Sequence, residues 1–327
     1  MVPTAHDRSG VVALTGTILV LRALGLGDLL TIVPALRGLR TAYPDDRLVL
    51  AAPEPLRPLV DLIDAVAELL PTPGLGALRW SGASPRLAVN LHGSGPQSIR
   101  DLAAVRPATM LTHQHPDFPE IPGPRWSAEL HEVQRWCRLL GYARIDTDPR
   151  ALALPKPDIA AAESNVIVIH PGAASNARRW PAEHFATVAR ELSADGHRVV
   201  VTGSADEVSL ATAVARAAGL PPSAVYAGRT DLAELAAIVA DAALVVCGDT
   251  GVGHLATAFG TPSVLLFGPT PPRVWGPPPD ARSHVTLWAG VVGDPHADRP
   301  NPGLLSITPQ QVLSTAATLI GQEARHG

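Results

Sequence analysis

The chain is poor in the residues that most often announce a function. Of its 327 residues only two are cysteine, Cys137 and Cys247, which excludes a disulfide framework and a cysteine zinc cluster. Charged residues make up 17% and the net charge is -4. A broad basic face able to displace counterions from phosphates is therefore lacking, and no nucleic-acid partner is expected. The most apolar early stretch, 11–30, is broken by Arg22, Asp28 and the glycines Gly16, Gly25 and Gly27, so it is no transmembrane helix. No basic start leads into a small-residue cleavage site, so no secretory signal is expected. The chain reads as cytoplasmic, with peripheral membrane contact left open. Gly-x-Ser-x-Gly and P-loop motifs are missing as well.

What is present is an alternation of short apolar runs and helical patterns, in a chain that is 46% hydrophobic and long enough for two domains. Such alternation argues for parallel sheets with crossover helices. In the first half strands are expected at about Thr17–Leu21, Arg47–Ala51, Leu87–Asn90 and Ala108–Leu111. In the second they are expected at Val166–His170, Arg198–Thr202, Ala224–Tyr226, Leu244–Cys247 and Val264–Phe267. The proline-rich, polar stretch Asp146–Asp158 reads as a linker. Domains of 1–150 and 151–327 follow, the last helix being free to pack back on the first domain. The ends, Met1 to about Gly16 and the tail from about Gly321, read as frayed.

The most informative stretch is Cys247-Gly-Asp-Thr-Gly-Val-Gly-His254. It follows the apolar, β-branched run 242–247 and leads into a helix from about His254 to Phe259, stopped by Gly260-Thr-Pro262. Gly251 and Gly253 let a ligand approach the backbone, Thr250 offers a hydroxyl, and the free N–H groups of a first helical turn favour an anion. A second strand, Val166–His170, ends in Pro171-Gly-Ala-Ala-Ser175-Asn176 and then Arg178-Arg179-Trp180-Pro181, before a helix from about Ala182 to Leu192. Its hydroxyl, amide and two guanidiniums suit a diphosphate.

The first half opens with Leu21-Arg-Ala-Leu-Gly25-Leu-Gly27-Asp28-Leu-Leu30. A dinucleotide fingerprint would place a third glycine where Leu30 stands, and Asp28 would repel a pyrophosphate, which argues against a dehydrogenase. Asp28 is either a plain helix N-cap or a carboxylate available as a general base. Asp146-Thr-Asp148, His113-Gln-His115 and Asp294-Pro-His296-Ala-Asp298 have ligand-like spacings but lie in polar, proline-flanked loops, and no metal site is expected.

The ordered set resembles glycosyltransferase family 9, the heptosyltransferase family, over about residues 17–275. It comprises Gly27-Asp28 after the first strand, His170-Pro-Gly172 with Arg178-Arg-Trp-Pro181, and Gly248–His254 with Phe267-Gly-Pro-Thr270. The resemblance implies an α/β fold of GT-B type, two facing Rossmann-like domains with parallel sheets. The acceptor would lie in the first and a nucleotide sugar in the second, with no cofactor and no metal. It makes Asp28 the catalytic base and places the donor diphosphate and sugar at Ser175, Arg178, Arg179, Asp249, Thr250, Gly251, Gly253 and His254. Glu207 matches the acidic position that takes ribose hydroxyls, and Gly25, Gly27 and Arg100 fall on the acceptor side. Arg178 departs from the family, which usually has lysine before the Trp-Pro. Arg100, Arg106 and Arg125 are the obvious anion handles of the first half. The implied reaction is inverting transfer of a sugar, by family habit heptose from ADP-heptose, to a hydroxyl of a glycan or small-molecule acceptor. The alternatives are a sugar-nucleotide epimerase or hydrolase of the same architecture and a non-catalytic nucleotide-sugar binding module.

Overall fold

The structure is a computed structural model that describes residues 16–323. The chain divides into two compact units between Leu152 and Ala153. The first contains β1 (Thr17–Leu21), α1 (Leu26–Thr31), α2 (Val33–Ala42), β2 (Arg47–Ala52), α3 (Arg57–Val60), β3 (Glu68–Pro71), β4 (Leu87–Asn90), α4 (Gln97–Ala104), β5 (Met110–Leu111) and α5 (Glu132–Tyr142). Its sheet has the order β3-β2-β1-β4-β5, and every pairing is parallel. Leu19, Leu21, Val49, Ala51 and Ala88 line one face and pack with Leu102 of α4. Burial on both faces explains the near-continuous apolar reading of β1, β2 and β4.

The second unit contains β6 (Ile167–His170), α6 (Ala182–Ala194), β7 (Val199–Val201), α7 (Val208–Ala217), α8 (Leu232–Ala240), β8 (Leu244–Gly248) and α9 (Gly251–Phe259). After these come β9 (Ser263–Phe267), α10 (Pro272–Trp275), β10 (His284–Trp288), α11 (Pro302–Leu305) and α12 (Pro309–Glu323). Its sheet runs β10-β9-β8-β6-β7, again all parallel. The core joins Ile167, Ile169, Val246 and Leu266 of the strands to Phe185 of α6 and Val312 of α12. α12 packs on α6, β8 and β9 of this unit. Trp180, buried against Phe185, donates its indole N–H to the Ile307 carbonyl at 3.0 Å, tying the start of α6 to the approach to α12.

Several expectations are corrected. The strand expected at Ala224–Tyr226 is a 3-10 turn over Pro222–Ala224 followed by one bridge, Val201 to Val225, because Pro221 and Pro222 lack the amides a ladder needs. β3 and β10 were not foreseen; both are sheet edges, short or half-buried, with no continuous apolar run to reveal them. α9 begins at Gly251 rather than His254, and ends as expected at Gly260, which takes the left-handed conformation at φ 72°. α12 runs past Gly321 to Glu323, while residues 1–15 and 324–327, where the frayed ends were expected, lie outside the described residues.

Candidate functional site

In an open parallel sheet, the crevice beyond the carboxyl ends of two strands whose connections run in opposite directions is where ligands bind. The first unit has this switch at β1 and β4. β1 ends in Arg22, an arginine that is 1% exposed. Its Nη1 donates to the Leu91 carbonyl beyond β4 at 2.6 Å, and its Nε donates to the Asp28 carbonyl at 3.0 Å. Nη2 donates to Asp28 Oδ1 at 3.0 Å, Glu132 Oε1 at 2.9 Å and Thr31 Oγ1 at 3.3 Å. Burial pulls the Arg22 guanidinium down to about 10, with Asp28 opposing, so it remains a cation at neutral pH.

Asp28 is not the N-cap of α1. Gly25 holds that position and Asp28 is the third helical residue. Its side chain is 29% exposed, and only Oδ1 is engaged, by Arg22. Glu132, at the start of α5, also accepts the Trp136 indole N–H at 2.9 Å and pairs with Arg135. Arg135 lies over the Trp126 ring at 4.4 Å. Sequence reasoning missed this network, although two signals were there: an arginine closing a buried strand, and Glu132, Arg135 and Trp136 on one face of a helix.

Arg100, expected on the acceptor side, stands on α4 as an exposed ion pair with Asp117 at 3.1 Å, and shares no hydrogen bond with the Asp28 network among the described residues. His113 is buried edge-on against Trp126 and Trp136, and His115 Nδ1 accepts the Asp117 amide, so that pair packs and caps a turn. Asp148 accepts the Arg150 amide in a turn of its own.

The second unit has its switch at β6 and β8. Both loops singled out in the sequence open here, one after His170 and one after Gly248. Arg178 spans them: its Nε donates to Ser175 Oγ and its Nη1 to the Asp249 carbonyl, each at 3.4 Å, and Nη1 lies 4.0 Å from Asp249 Oδ2. Arg179 instead braces its own loop, donating to the Ala173 carbonyl at 3.0 Å and Asn176 Oδ1 at 3.1 Å. Ser175 Oγ donates to the Pro295 carbonyl, and Asn176 to the Asp298 carbonyl, so segment 294–298 straps this loop.

Thr250 is the N-cap residue of α9 and makes no side-chain capping bond, and among the described residues the first-turn amides of Gly251 and Val252 have no backbone acceptor outside the helix. Asp249, Thr250, Gly253 and His254 line a small pocket with Trp275, whose ring meets the His254 edge at 5.9 Å. Glu207 Oε2 accepts the Ser204 amide at 2.8 Å in a capping box. Its carboxylate sits so close to Gly172 that a β-carbon there would fall 2.0 Å from Oε1, so any side chain at 172 would have to displace the Glu207 carboxylate. His170, buried at the end of β6, shares a hydrogen bond with Thr202 Oγ1 at 3.0 Å, and burial lowers its basicity.

Two all-parallel units with a polar switch crevice in each define a Rossmann-like α/β architecture. Solved structures share the fold. The glycosyltransferase family 9 protein of Veillonella parvula matches with a TM-score of 0.75 at 21% identity, covering 94% of this chain and 98% of that one. The ADP-heptose lipopolysaccharide heptosyltransferase II of Escherichia coli matches with a TM-score of 0.73 at 21% identity, over 94% and 99%. Lipopolysaccharide heptosyltransferase 2 of Salmonella typhimurium is 28% identical, covering 94% of this chain and 99% of its own. The model of glycosyltransferase family 9 (heptosyltransferase) matches residues 83–297, and the chain belongs to that family. It is a glycosyltransferase of GT-B fold. No helix among the described residues is long and apolar enough to cross a membrane.

Asp249 gives this site a pH signature. Burial pushes its carboxyl up to about 6 while Arg178 pulls the other way. A folded pKa above the unfolded value of 3.8 means that folding favours the protonated form. Its stabilising contribution is complete below about pH 4 and is lost as pH rises through about 6. Asp249→Asn is therefore expected to remove ~2 to 3 kcal/mol of pH-dependent stability between those limits. Urea unfolding of both proteins at a series of pH values checks this; parallel curves would refute it.

Proposed function

We propose that the protein transfers heptose from an ADP-heptose donor to a hydroxyl of a glycan or small-molecule acceptor, inverting the anomeric centre in one displacement without a divalent cation. The observation that carries this reading is the opposite chemistry of the two crevices. The first presents a carboxylate with one unengaged oxygen, Asp28 Oδ2; the second presents a guanidinium and a helix N-terminus.

In this reading the acceptor binds at the first unit beside Gly25 and Gly27, and Asp28 takes the proton of its hydroxyl as the oxygen attacks the anomeric carbon. The nucleoside diphosphate leaves from the opposite face. Its growing charge is met by Arg178, the Thr250 hydroxyl and the amides of Gly251 and Val252, arranged before the reaction starts. A preorganised donor of this kind contributes ~3 kcal/mol to the transition state, and several together do the work otherwise given to a metal ion. Asp249 and His254 face the sugar. Arg179 acts by bracing the loop. Glu207 keeps Oε1 for ribose hydroxyls while Oε2 caps the turn. The ADP-heptose donor is supported by the heptosyltransferase relatives, and lipopolysaccharide is the acceptor named for those relatives. The buried, unlinked thiols Cys137 and Cys247 support a reducing, cytoplasmic setting.

Incubation with ADP-heptose and a panel of glycan and small-molecule hydroxyl acceptors, read by mass for one added heptose, tests the reaction. Asp28→Asn is expected to abolish transfer while leaving ADP affinity within a few-fold, because a base acts on the acceptor proton. Near-normal turnover in that variant would end its assignment as the base.

Arg178→Ala is expected to weaken ADP binding by ~1.5 to 3 kcal/mol, the range for charged hydrogen bonds, with little change in the melting temperature. Equal dissociation constants by calorimetry would put the nucleotide elsewhere. Transfer is also expected to persist in excess EDTA; loss of turnover that magnesium or manganese restores would remove the metal-free mechanism.

A further inference from the structure

A buried arginine fully supplied with acceptors is ordinarily a packing device, and three features of Arg22 go beyond that. First, its fork reaches both lips of the β1/β4 crevice, bonding the Leu91 carbonyl on one side and the Asp28 carbonyl and carboxylate on the other. Its position therefore fixes the backbone of the first turn of α1 as well as the carboxylate. Second, Asp28 is gripped through Oδ1 alone, so rotation is restrained while Oδ2 stays unengaged. Third, Nη2 carries Glu132 at 2.9 Å beside Asp28 at 3.0 Å, on one nitrogen. Two carboxylates that share a donor lie within about 6 Å, where each disfavours the other's ionised form.

We propose that Arg22 and Glu132 are a positioning pair for Asp28: Arg22 aims the carboxylate and Glu132 cancels enough of the guanidinium charge to keep that carboxylate a usable base. The role in turnover rests on the assignment of Asp28 as the base, while the electrostatic coupling stands without it. An arginine alone would hold the carboxylate ionised but weaken it as a proton acceptor, since a nearby cation lowers a carboxyl pKa. A second carboxylate on the same nitrogen restores basicity without loosening the grip. Glu132 is itself held from behind by the Trp136 indole N–H and Arg135, so it does not swing away to water.

The charges that face Asp28 come from each packed element: Arg22 from the end of β1, Glu132 and, beyond it, Arg135 from α5, and His92 from the end of β4. Asp101 of α4 acts in turn on His92. Burial and Arg22 keep His92 below its ordinary range, so at neutral pH it adds no charge. The balance of Arg22 against Glu132, itself partly offset by Arg135, is therefore what sets the field on Asp28.

The test is a carboxyl titration of the full chain with labelled aspartate followed by NMR, the Asp28 signal being assigned by its loss in Asp28→Asn. Glu132→Gln keeps the shape and the acceptor oxygen for Arg22 and Trp136, and is expected to lower the Asp28 midpoint by about half a pH unit or more. Arg22→Gln is expected to raise it by a similar amount. A purely structural role would lower the melting temperature of both variants and leave the midpoint in place. An unmoved midpoint in folded Glu132→Gln overturns the proposal whether or not Arg22→Gln folds. Turnover supplies the second reading: with ADP-heptose and the acceptor found above, Glu132→Gln is expected to lower kcat about tenfold with the donor KM nearly unchanged. Unchanged kcat beside a shifted midpoint would overturn the role in turnover alone. Full activity of Asp28→Asn would instead strike at the base assignment and leave the titration result standing.

Discussion

A parallel sheet cannot turn back on itself with a tight loop, so every strand is followed by a crossover, and where successive crossovers leave in opposite directions a crevice opens beyond the strand ends. Both units of this protein are built around that constraint. In the first, β1 lies between β2 and β4; in the second, β6 lies between β7 and β8. Each crevice contains an arginine that bonds backbone carbonyl groups beside it. Arg22 takes the carbonyls of Leu91 and Asp28, and Arg178 takes that of Asp249. The difference lies in what the arginine leaves over. Arg22 spends its donors on two carboxylates and leaves a carboxylate oxygen on offer, whereas Arg178 makes long contacts and leaves positive charge on offer. In the proposed reading one geometry thus serves as a proton acceptor in one unit and as an anion site in the other.

Burying Arg22 is expensive, because an ion removed from water repays the cost only where its partners are close and well aligned. A leucine or methionine in its place would pack the end of β1 more cheaply. The same holds for Asp249, whose burial raises its carboxyl toward neutrality. Both costs fall at the switch crevices, while Ile18, Leu19, Val20 and Leu21 of β1 and Leu244, Val245 and Val246 of β8 are aliphatic and nearly solvent-free. Polar groups kept where apolar ones would be cheaper are the pattern expected of a site.

The legible part of the fold was the part buried on both faces. β1, β4, β6 and β8 announced themselves as apolar, β-branched runs, and the loops after β6 and β8 by small residues next to hydroxyls and guanidiniums. β3 and β10 were hidden because an edge strand needs no continuous apolar run, and the start of α9 because Gly251 and Gly253 read as loop while serving as its first turn. Arg100 looked like an anion handle because sequence lists charges without their partners; Asp117, seventeen positions away, already engages it. The network behind Asp28 was invisible for the same reason, since Arg22 and Glu132 are 110 positions apart.

Arg178 stands where the resemblance leads one to expect lysine, and the exchange has consequences that follow from shape. An ammonium is a compact point charge with three donors that swing freely, whereas a guanidinium is a planar fork whose donors move together. Here Nε faces Ser175 and Nη1 faces Asp249, which sets the plane of the fork and leaves Nη2 without a partner among the described residues. Ser175 is itself tied to the Pro295 carbonyl, so the strap 294–298 reaches the orientation of the guanidinium through one hydroxyl. A diphosphate meeting this arrangement is offered a fixed direction of approach where lysine would offer a flexible one. Affinity then depends on how well the α9 amides and the fork are aligned with each other, because misalignment cannot be absorbed by a swinging side chain. On the proposed reading that dependence makes the loop around Ser175 part of the diphosphate site, although its backbone carries no charge of its own.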